Sequence, residues 1–389
     1  MAQTHGMLVP DELSVISLTY NDCPSVFYPE LSTVQLSSYR LGEYAASVMI
    51  DSIERGLPLS ENKKLSASVF HQGKSLTQWK GTFSTKSRIV VVGSLNMDFI
   101  IHVSSLPQAG ETVISPQIAK IPGGKGANQA VGVGKLGGNV YMIGRIGNDQ
   151  DGKMLYQSLY ENNVTLDGVS IEDDFSTGKA YIHVDNSGES TIVVYPGANS
   201  KLTPTHVLQR AALFENAQYC LISTETLPKT VKAVAEVARK NSVRVIMKPS
   251  AVTSIDPEVL DGLFLLIPNE KEINTLLPDD RLTLEEKAKH FLSCGVMNVI
   301  VTLGEKGCML CNHDETRFFP AADFRAVDTT GAADSFISAL VVSLCETQDL
   351  YYAIRFATYA AGITITREGV QPALPDRMMM RLYADKINK

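Results

Sequence analysis

Short apolar runs at Tyr141 to Ile146, Cys220 to Ser223, Arg244 to Met247, Phe264 to Ile267 and Val299 to Leu303 recur along this chain, most of them followed by a helical pattern. Strands that alternate with helices cannot close on each other as hairpins. They pair in parallel through crossovers, and the helices cover both faces of the sheet. Ahead of them, Arg88-Ile89-Val90-Val91-Val92-Gly93-Ser94 is a continuous β-branched run ending in glycine, which is how a parallel strand covered on both faces looks. The expected fold is α/β: a doubly wound, mainly parallel sheet flanked by helices. At 389 residues there is room for one such domain of ~300 residues and something smaller.

A second pattern is laid over the first. Phe99 to Val103, Val113 to Ile121, Lys179 to Val184 and Thr191 to Tyr195 alternate apolar and polar residues, the last two around Asn186-Ser187-Gly188. Such segments predict a small antiparallel sheet, a lid, within about residues 99–121 and 177–196. Between the first two lid strands and an apolar helix lies Gly123-Gly124-Lys125-Gly126-Ala127-Asn128-Gln129-Ala130. Its glycines permit close backbone approach to a ligand, and Lys125 and Asn128 supply donors. A glycine-rich turn alone is a weak signal, and this one has neither the P-loop ending nor the dinucleotide spacing. Asn96 and Asp98 follow the C-terminal end of the first strand, where open α/β sheets bind ligands; an Asn-x-Asp there is equally a plain turn.

The densest chemistry is in Asp328-Thr329-Thr330-Gly331-Ala332-Ala333-Asp334-Ser335-Phe336. A strand-like Phe324 to Val327 precedes it and an apolar helix (Phe336, Ala339, Leu340, Leu344) follows. A helix beginning Gly-Ala-Ala presents unpaired amides and the positive end of its dipole to an anion such as phosphate. Asp334 either caps that helix or faces a substrate hydroxyl.

Residues 1–80 form a distinct unit. Leu13 to Thr19 is β-rich, and Tyr39 to Arg55 is an amphipathic helix with Leu41, Ala45, Val48, Met49 and Ile53 on one face. The polar stretch 81–87 is the expected linker, and residues 88–389 the main domain. Net charge is −7 with no basic block, which excludes the electrostatic footprint of a nucleic-acid binder. Six scattered cysteines, the absence of an 18-residue apolar run and the absence of a charged-then-apolar start point to a cytoplasmic chain. Cys308-Met309-Leu310-Cys311 is a C-x-x-C, read as a strand with its two thiols on opposite faces rather than as a redox or metal pair.

Together, the Gly123 to Gly147 segment (Gly123, Gly124, Gly126, Asn128, Ala130, Gly137, Gly147) and the Asp328 to Phe336 segment resemble the two signatures of the ribokinase-like (PfkB) sugar kinases. Ser94-Leu95-Asn96-Met97-Asp98, Pro107-x-x-Gly110-Glu111-Thr112 and Gln371-Pro372 add to the resemblance, which covers residues 88–389. Residues 1–80 resemble the C-terminal end of the effector domain of lac-repressor-type transcription factors, through His5-Gly6, Val9-Pro10-Asp11-Glu12-Leu13-Ser14-Val15-Ile16, Pro29-Glu30-Leu31-Ser32-Thr33-Val34 and Gly42-Glu43-Tyr44-Ala45-Ala46. The headpiece and first subdomain of that fold are missing, so the segment is expected to be a remnant that cannot read DNA, left either by truncation of a longer repressor–kinase fusion or by an internal Met taken as the start, and Ser17-Leu18-Thr19-Tyr20 stands where the sugar-contacting strand end would be.

The resemblance implies ATP-dependent phosphorylation of a pentose, D-ribose to D-ribose 5-phosphate, with ATP, Mg²⁺ and K⁺. Asn96, Asp98, Gly124, Lys125, Asn128 and Glu225 would bind the sugar, with Asp334 as general base and the amides of Gly331, Ala332, Ala333 and Asp334 as the anion hole. Asn269 and Glu272 would orient Mg²⁺, although Asn-x-x-Glu alone is equally a capping box. Thr302, Gly304, Lys306 and Gly307 would lie along the adenosine, and Asp328, Thr330, Thr364, Arg367 and Gly369 would hold K⁺. Two chains would pair through the lid. Three departures stand out: Ala333 replaces a glycine and threatens either crowding or a φ reserved for glycine, Lys248-Pro249-Ser250-Ala251 replaces Asn-Pro-Ala-Pro, and Ala373 replaces a serine. They motivate a second expectation, a catalytically weak sugar-binding regulator; kinases for deoxyribose or another related sugar also remain open.

Overall fold

The computed structural model describes residues 87–185 and 190–388. Before them it describes only Ile16–Thr19, Ser32–Leu36, Ser68–His71 and helical residues 46, 49, 50, 53 and 54. The remaining positions of the repressor-like patterns and of the expected helix 39–55, the linker 81–86 and the Asn186-Ser187-Gly188 turn lie outside the described residues. The chain forms two compact units, Met1–Phe83 and Ser84–Lys389. In the first, β1 (Ile16–Thr19) pairs in parallel with β2 (Ser32–Leu36), and β2 pairs antiparallel with β3 (Ser68–His71).

In the second unit the first β-branched run becomes β4 (Arg88–Val92), whose last four residues are all buried. Ile89 and Val91 enter one apolar cluster, Val90 and Val92 another. That two-residue alternation places the sheet between two helical layers, so no face of the strand meets water. Around β4 lie β7 (Asn139–Gly147), β8 (Val164–Glu172), β11 (Ala217–Ser223), β12 (Arg244–Lys248), β13 (Leu265–Leu266), β14 (Asn298–Thr302), β15 (Cys308–Asn312) and β16 (Thr316–Phe319), in the order β16-β15-β14-β13-β12-β11-β4-β7-β8. All pairings from β14 to β8 are parallel; β15 and β16 add an antiparallel edge. Strand order runs outward in both directions from β4 and β11, which makes their C-terminal ends the topological switch point where such sheets open a crevice.

Cys308 and Cys311 of β15 fall into the two different clusters and are both free thiols, as opposite faces require. The small sheet is built from β5 (Asn96–His102), β6 (Gln117–Gly123), β9 (Gly178–Val184) and β10 (Ser190–Tyr195), in the order β10-β9-β5-β6. Its two hairpins are antiparallel, and they join through a parallel β5–β9 pairing.

Helices α1 (Lys125–Lys135), α2 (Gln150–Glu161), α3 (Pro228–Lys240), α4 (Glu270–Leu276), α5 (Leu284–Ser293), α6 (Ala332–Thr347) and α7 (Leu350–Thr364) follow the strands. α6 is buried continuously from Asp334 to Leu344, so it is the core's central helix. One expectation fails. Phe324 to Val327 is no strand: its backbone finds no neighbouring strand, while the Phe324 ring packs on Tyr359 and Tyr383 and the Val327 amide donates to the Ile365 carbonyl (2.7 Å).

Candidate active site

Asn96 and Asp98 sit two residues apart on β5 and therefore share a face; they are 4% and 7% exposed. They are residues of the lid sheet itself, beginning three residues after β4 ends. The Asn96 side-chain oxygen accepts from Asn199 Nδ2 (2.8 Å), and Asn199 Oδ1 accepts from the Leu95 amide (2.9 Å), which fixes the amide's orientation. Gly123 of β6 lies against the Asp98 carboxylate, where any side chain would collide with it. Next to it Gly124 has φ 88°, and a Cβ there would lie 2.7 Å from the Asn96 nitrogen and 2.8 Å from the Ser94 carbonyl. Only glycine allows α1 to begin this close to β5.

Lys125 opens α1 and reaches to 3.4 Å from Glu225 Oε1, while Ser94 Oγ donates to Glu225 Oε2 (2.8 Å) across the β4/β11 switch point. Burial pushes the Asp98 carboxyl up to about 7, with Glu225 and Asp334 adding to the rise and Lys125 opposing it. Burial works against the charge of Lys125, yet Asp334 and Glu225 more than offset that and hold the ammonium protonated. Three carboxyl groups thus converge on one ammonium, a surplus of acceptors suited to a ligand rich in hydroxyl donors.

Asp334 lies in the first turn of α6 and is buried. It does not cap that helix: the N-cap is Gly331, in the left-handed region at φ 81°, where a Cβ would meet Val370 Cγ1 at 2.5 Å. Asp334 Oδ2 accepts from Asn128 Nδ2 (3.1 Å) and Oδ1 from Gln129 Nε2 (3.1 Å). Burial raises its proton affinity, and Lys125, Gln129 and Asn128 pull the other way. The α1–α6 contact that delivers these donors is close because Gly132 faces Ser338, whose hydroxyl donates to the carbonyls of Gln129 (3.0 Å) and Asp334 (2.6 Å). At the helix start the Ala332 amide reaches the Thr329 carbonyl (3.3 Å) and the Ser335 amide closes on Gly331 (2.9 Å). The amides of Ala333 and Asp334 lie between them, where a helix leaves its donors unpaired. Ala333 lies within the helix and outside the left-handed region, so a φ only glycine tolerates is not required there; only the bulk of its methyl remains.

Asn269 and Glu272 form a full capping box at the start of α4: Glu272 N donates to Asn269 Oδ1 (2.7 Å) and Asn269 N donates to Glu272 Oε2 (2.7 Å). The same Oε2 is ion-paired with Lys248 at the end of β12. Among the described residues no group of three or more His, Cys, Asp or Glu could cage a metal. One carboxylate suits a Mg²⁺ that arrives on nucleotide phosphates and keeps its waters. Thr302 is brought to this place by a bridge to Asn269, with its amide on the Pro268 carbonyl (2.9 Å). From it the chain turns through Gly304–Lys306, and Leu303 N donates to Gly307 O (2.8 Å).

Asp328 gathers a separate loop cluster: Oδ1 accepts from the Thr330 amide (2.8 Å) and Oδ2 from the Gly369 amide (3.0 Å). The Thr364 carbonyl accepts from Arg367 N (3.2 Å), and Thr364 Oγ1 donates to Ser335 Oγ (2.7 Å), which ties this cluster to α6. Carboxylate and carbonyl oxygens are the donor type a hard cation takes. Sequence reasoning missed Gln129, Asn199 and the Lys248–Glu272 pairing. Gln129 adjoins a residue already singled out, whereas Asn199 lies in a short 3₁₀ turn with no motif around it.

The profile of the pfkB family carbohydrate kinases matches residues 86–377, and that of a periplasmic binding protein-like domain matches residues 1–75. The ribokinase of Bacillus subtilis is 34% identical over 289 residues, covering 74% of this chain and 96% of that protein. The structure of Arabidopsis thaliana ribokinase complexed with ribose and ATP superposes with TM-score 0.72 at 32% identity, over 78% of this chain and 99% of that one. Thermotoga maritima ribokinase gives 0.71 at 36%, over 77% and 99%. A family match spanning about three quarters of the sequence, on a fold shared with these structures, establishes that the chain belongs to the pfkB family of carbohydrate kinases.

Proposed function

We propose that the chain phosphorylates D-ribose on its primary hydroxyl at the expense of ATP, releasing ADP and D-ribose 5-phosphate. The observation that carries this is Asp334: a buried carboxylate in the first turn of α6, held by Asn128 and Gln129 and facing the Asp98–Glu225–Lys125 group. Two of the relatives' features agree with it, their name as ribokinases and, in the Arabidopsis structure, bound ribose and ATP.

In this reading Asn96, Asp98, Gly124, Lys125, Asn128 and Glu225 bind the sugar hydroxyls. Asp334 accepts the proton of the primary hydroxyl as that oxygen forms its bond to the γ-phosphorus and the bond to the ADP oxygen breaks. Its raised proton affinity makes it a stronger base than an exposed aspartate, and Lys125 opposes that rise. Of the amides from Gly331 to Asp334, those of Ala333 and Asp334 would face the charge spread over the phosphoryl oxygens most directly, because the Ala332 amide is on the Thr329 carbonyl. Asn269 and Glu272 lie on the metal's side of the nucleotide, and Thr302, Gly304, Lys306 and Gly307 along the adenosine. Bound Mg²⁺ would neutralise phosphate charge; bound K⁺, at Asp328, Thr330, Thr364, Arg367 and Gly369, would sit behind the anion hole.

A coupled ADP-release assay with Mg²⁺, with and without K⁺, tests this with ribose, deoxyribose and fructose. Ribose should be the preferred substrate, and Asp334→Asn should lower kcat by at least about 10²-fold, the usual contribution of a positioned base. No ADP release with any sugar would overturn the reading. If calorimetry then still found sugar binding, the second reading, a sugar-binding regulator, would stand; the periplasmic binding protein-like match over residues 1–75 favours it.

A further inference from the structure

Lys248 is the feature that the family pattern does not absorb. It ends β12, is 4% exposed, and replaces the asparagine expected in its motif. β12 lies next to β11, so the Lys248 backbone is fixed at the crevice: its carbonyl accepts from the Thr224 amide (3.2 Å), one residue before Glu225. On the other side its ammonium pairs with Glu272 Oε2, the carboxylate at the start of α4. It therefore links the Thr224–Glu225 segment on one side to the start of α4 on the other. Burying an ammonium is costly unless it is paired, and Lys248 has one carboxylate partner, Glu272.

The geometry points to Lys248 as a nucleotide-phosphate ligand: without nucleotide it neutralises Glu272, and with nucleotide its ammonium turns to the phosphates and stands in for part of the charge that Mg²⁺ otherwise supplies. This rests on the kinase reading above. The reason is charge neutralisation at a buried position. Triphosphate brings several negative charges beside Glu272, and the nearest cation already buried there is Lys248. An asparagine at the same place offers a dipole but no charge, so a chain carrying it depends on the metal for that neutralisation.

Equilibrium binding of ATP and of ADP by calorimetry, in excess EDTA and again in excess Mg²⁺, reads this without turnover. The full-length protein should bind ATP in EDTA, and Lys248→Asn should weaken that metal-free binding by about tenfold or more, the usual size of a charge-assisted contact. In Mg²⁺ the two should differ by less. Glu272→Gln, which frees Lys248 from its internal partner, should strengthen metal-free binding, and it keeps the test decisive if Lys248→Asn fails to fold. Equal metal-free affinity of Lys248→Asn and the parent, or no gain from Glu272→Gln, overturns the role of Lys248. Ribose-dependent ADP release that continues alongside either result leaves the kinase reading intact. Absence of ATP binding in both conditions overturns both.

Discussion

At the scale of single residues, the Asp98–Glu225–Lys125 group stores its cost in Asp98. Its carboxyl is pushed up from the ordinary 3.8 to about 7 by burial first and by Glu225 next, with Lys125 pulling against them. A raised carboxyl binds its proton more tightly in the folded than in the unfolded chain, so between about pH 4 and 7 the folded state holds more protons. Stability conferred by that proton is present at low pH and is lost as pH rises through this window. Asp98→Asn removes the titrating group. The melting temperature of the ligand-free variant should match the parent's near pH 4, pull ahead of it from there to pH 7, and exceed it by several degrees at pH 8, on the order of a few kcal/mol at most. Thermal melts in the absence of sugar, at pH 5, 6, 7 and 8, measure it; parallel curves for the two proteins would defeat the argument. Ribose affinity of the variant should fall, because an amide cannot replace a carboxylate that accepts two donors. The residue that strains the apoprotein would then be one that the ligand needs.

Between residues and the whole lies the pair α1 and α6, which carries both Asp334 and the side chains that hold it. Gly132 has no room for a side chain because Ser338 faces it, and Ser338 in turn bonds the carbonyls of Gln129 and Asp334. Gly132→Val should drive the helices apart at a cost of ~1–3 kcal/mol, typical of overpacking. Because Asn128, Gln129 and Asp334 would lose their register, kcat should fall by more than about tenfold while the KM for ATP changes little. Steady-state kinetics beside a thermal melt separates the two effects; a destabilised variant with unchanged kcat would show that the helix contact does not set the base. Much at this scale was legible in the chain. The β-branched runs gave the parallel strands, and the glycines at 123, 124 and 331 marked the close approaches, because a missing side chain is visible in a sequence. What was hidden depends on partners distant along the chain. β8 has an alternating pattern of moderate burial and becomes a strand only by pairing with β7. Asn269 and Glu272 were read as alternatives, cap or metal site; the capping box formed, and the additional Lys248 contact arose from β12, a strand with no sequence proximity to it. Phe324 to Val327 looked like a strand by composition, and rings on α7 and at Tyr383 claimed it instead.

Across the Ser84–Lys389 unit the small four-stranded sheet leaves apolar surface uncovered. Strand β10 is an edge, and Ile192, Val193 and Val194 are each more than half exposed, with Tyr195 at 47%. The opposite edge strand β6 exposes Ile118 at 62%. A flat edge with unpaired backbone groups and four consecutive apolar side chains is a template for pairing unless something covers it. A second copy of the same lid supplies matching apolar faces, and a two-fold arrangement would bury both at once. The consequence reaches the site, because β10 is bonded to β9, β9 to β5, and β5 carries Asn96 and Asp98. We therefore expect a homodimer in which lid pairing steadies the sugar-binding strand. Ile192→Lys with Val194→Glu places charge on one face of β10 without touching a group assigned to sugar or nucleotide. Sedimentation equilibrium should find the parent at twice the mass of one chain and the double variant at the mass of one. The KM for ribose should rise several-fold in the variant and the KM for ATP should stay, since the groups proposed for the nucleotide lie on or beside β12, β14 and α4 rather than on the lid. A parent that sediments as a single chain at every concentration would end this reading, and a monomeric variant with unchanged ribose KM would confine the lid contact to assembly alone.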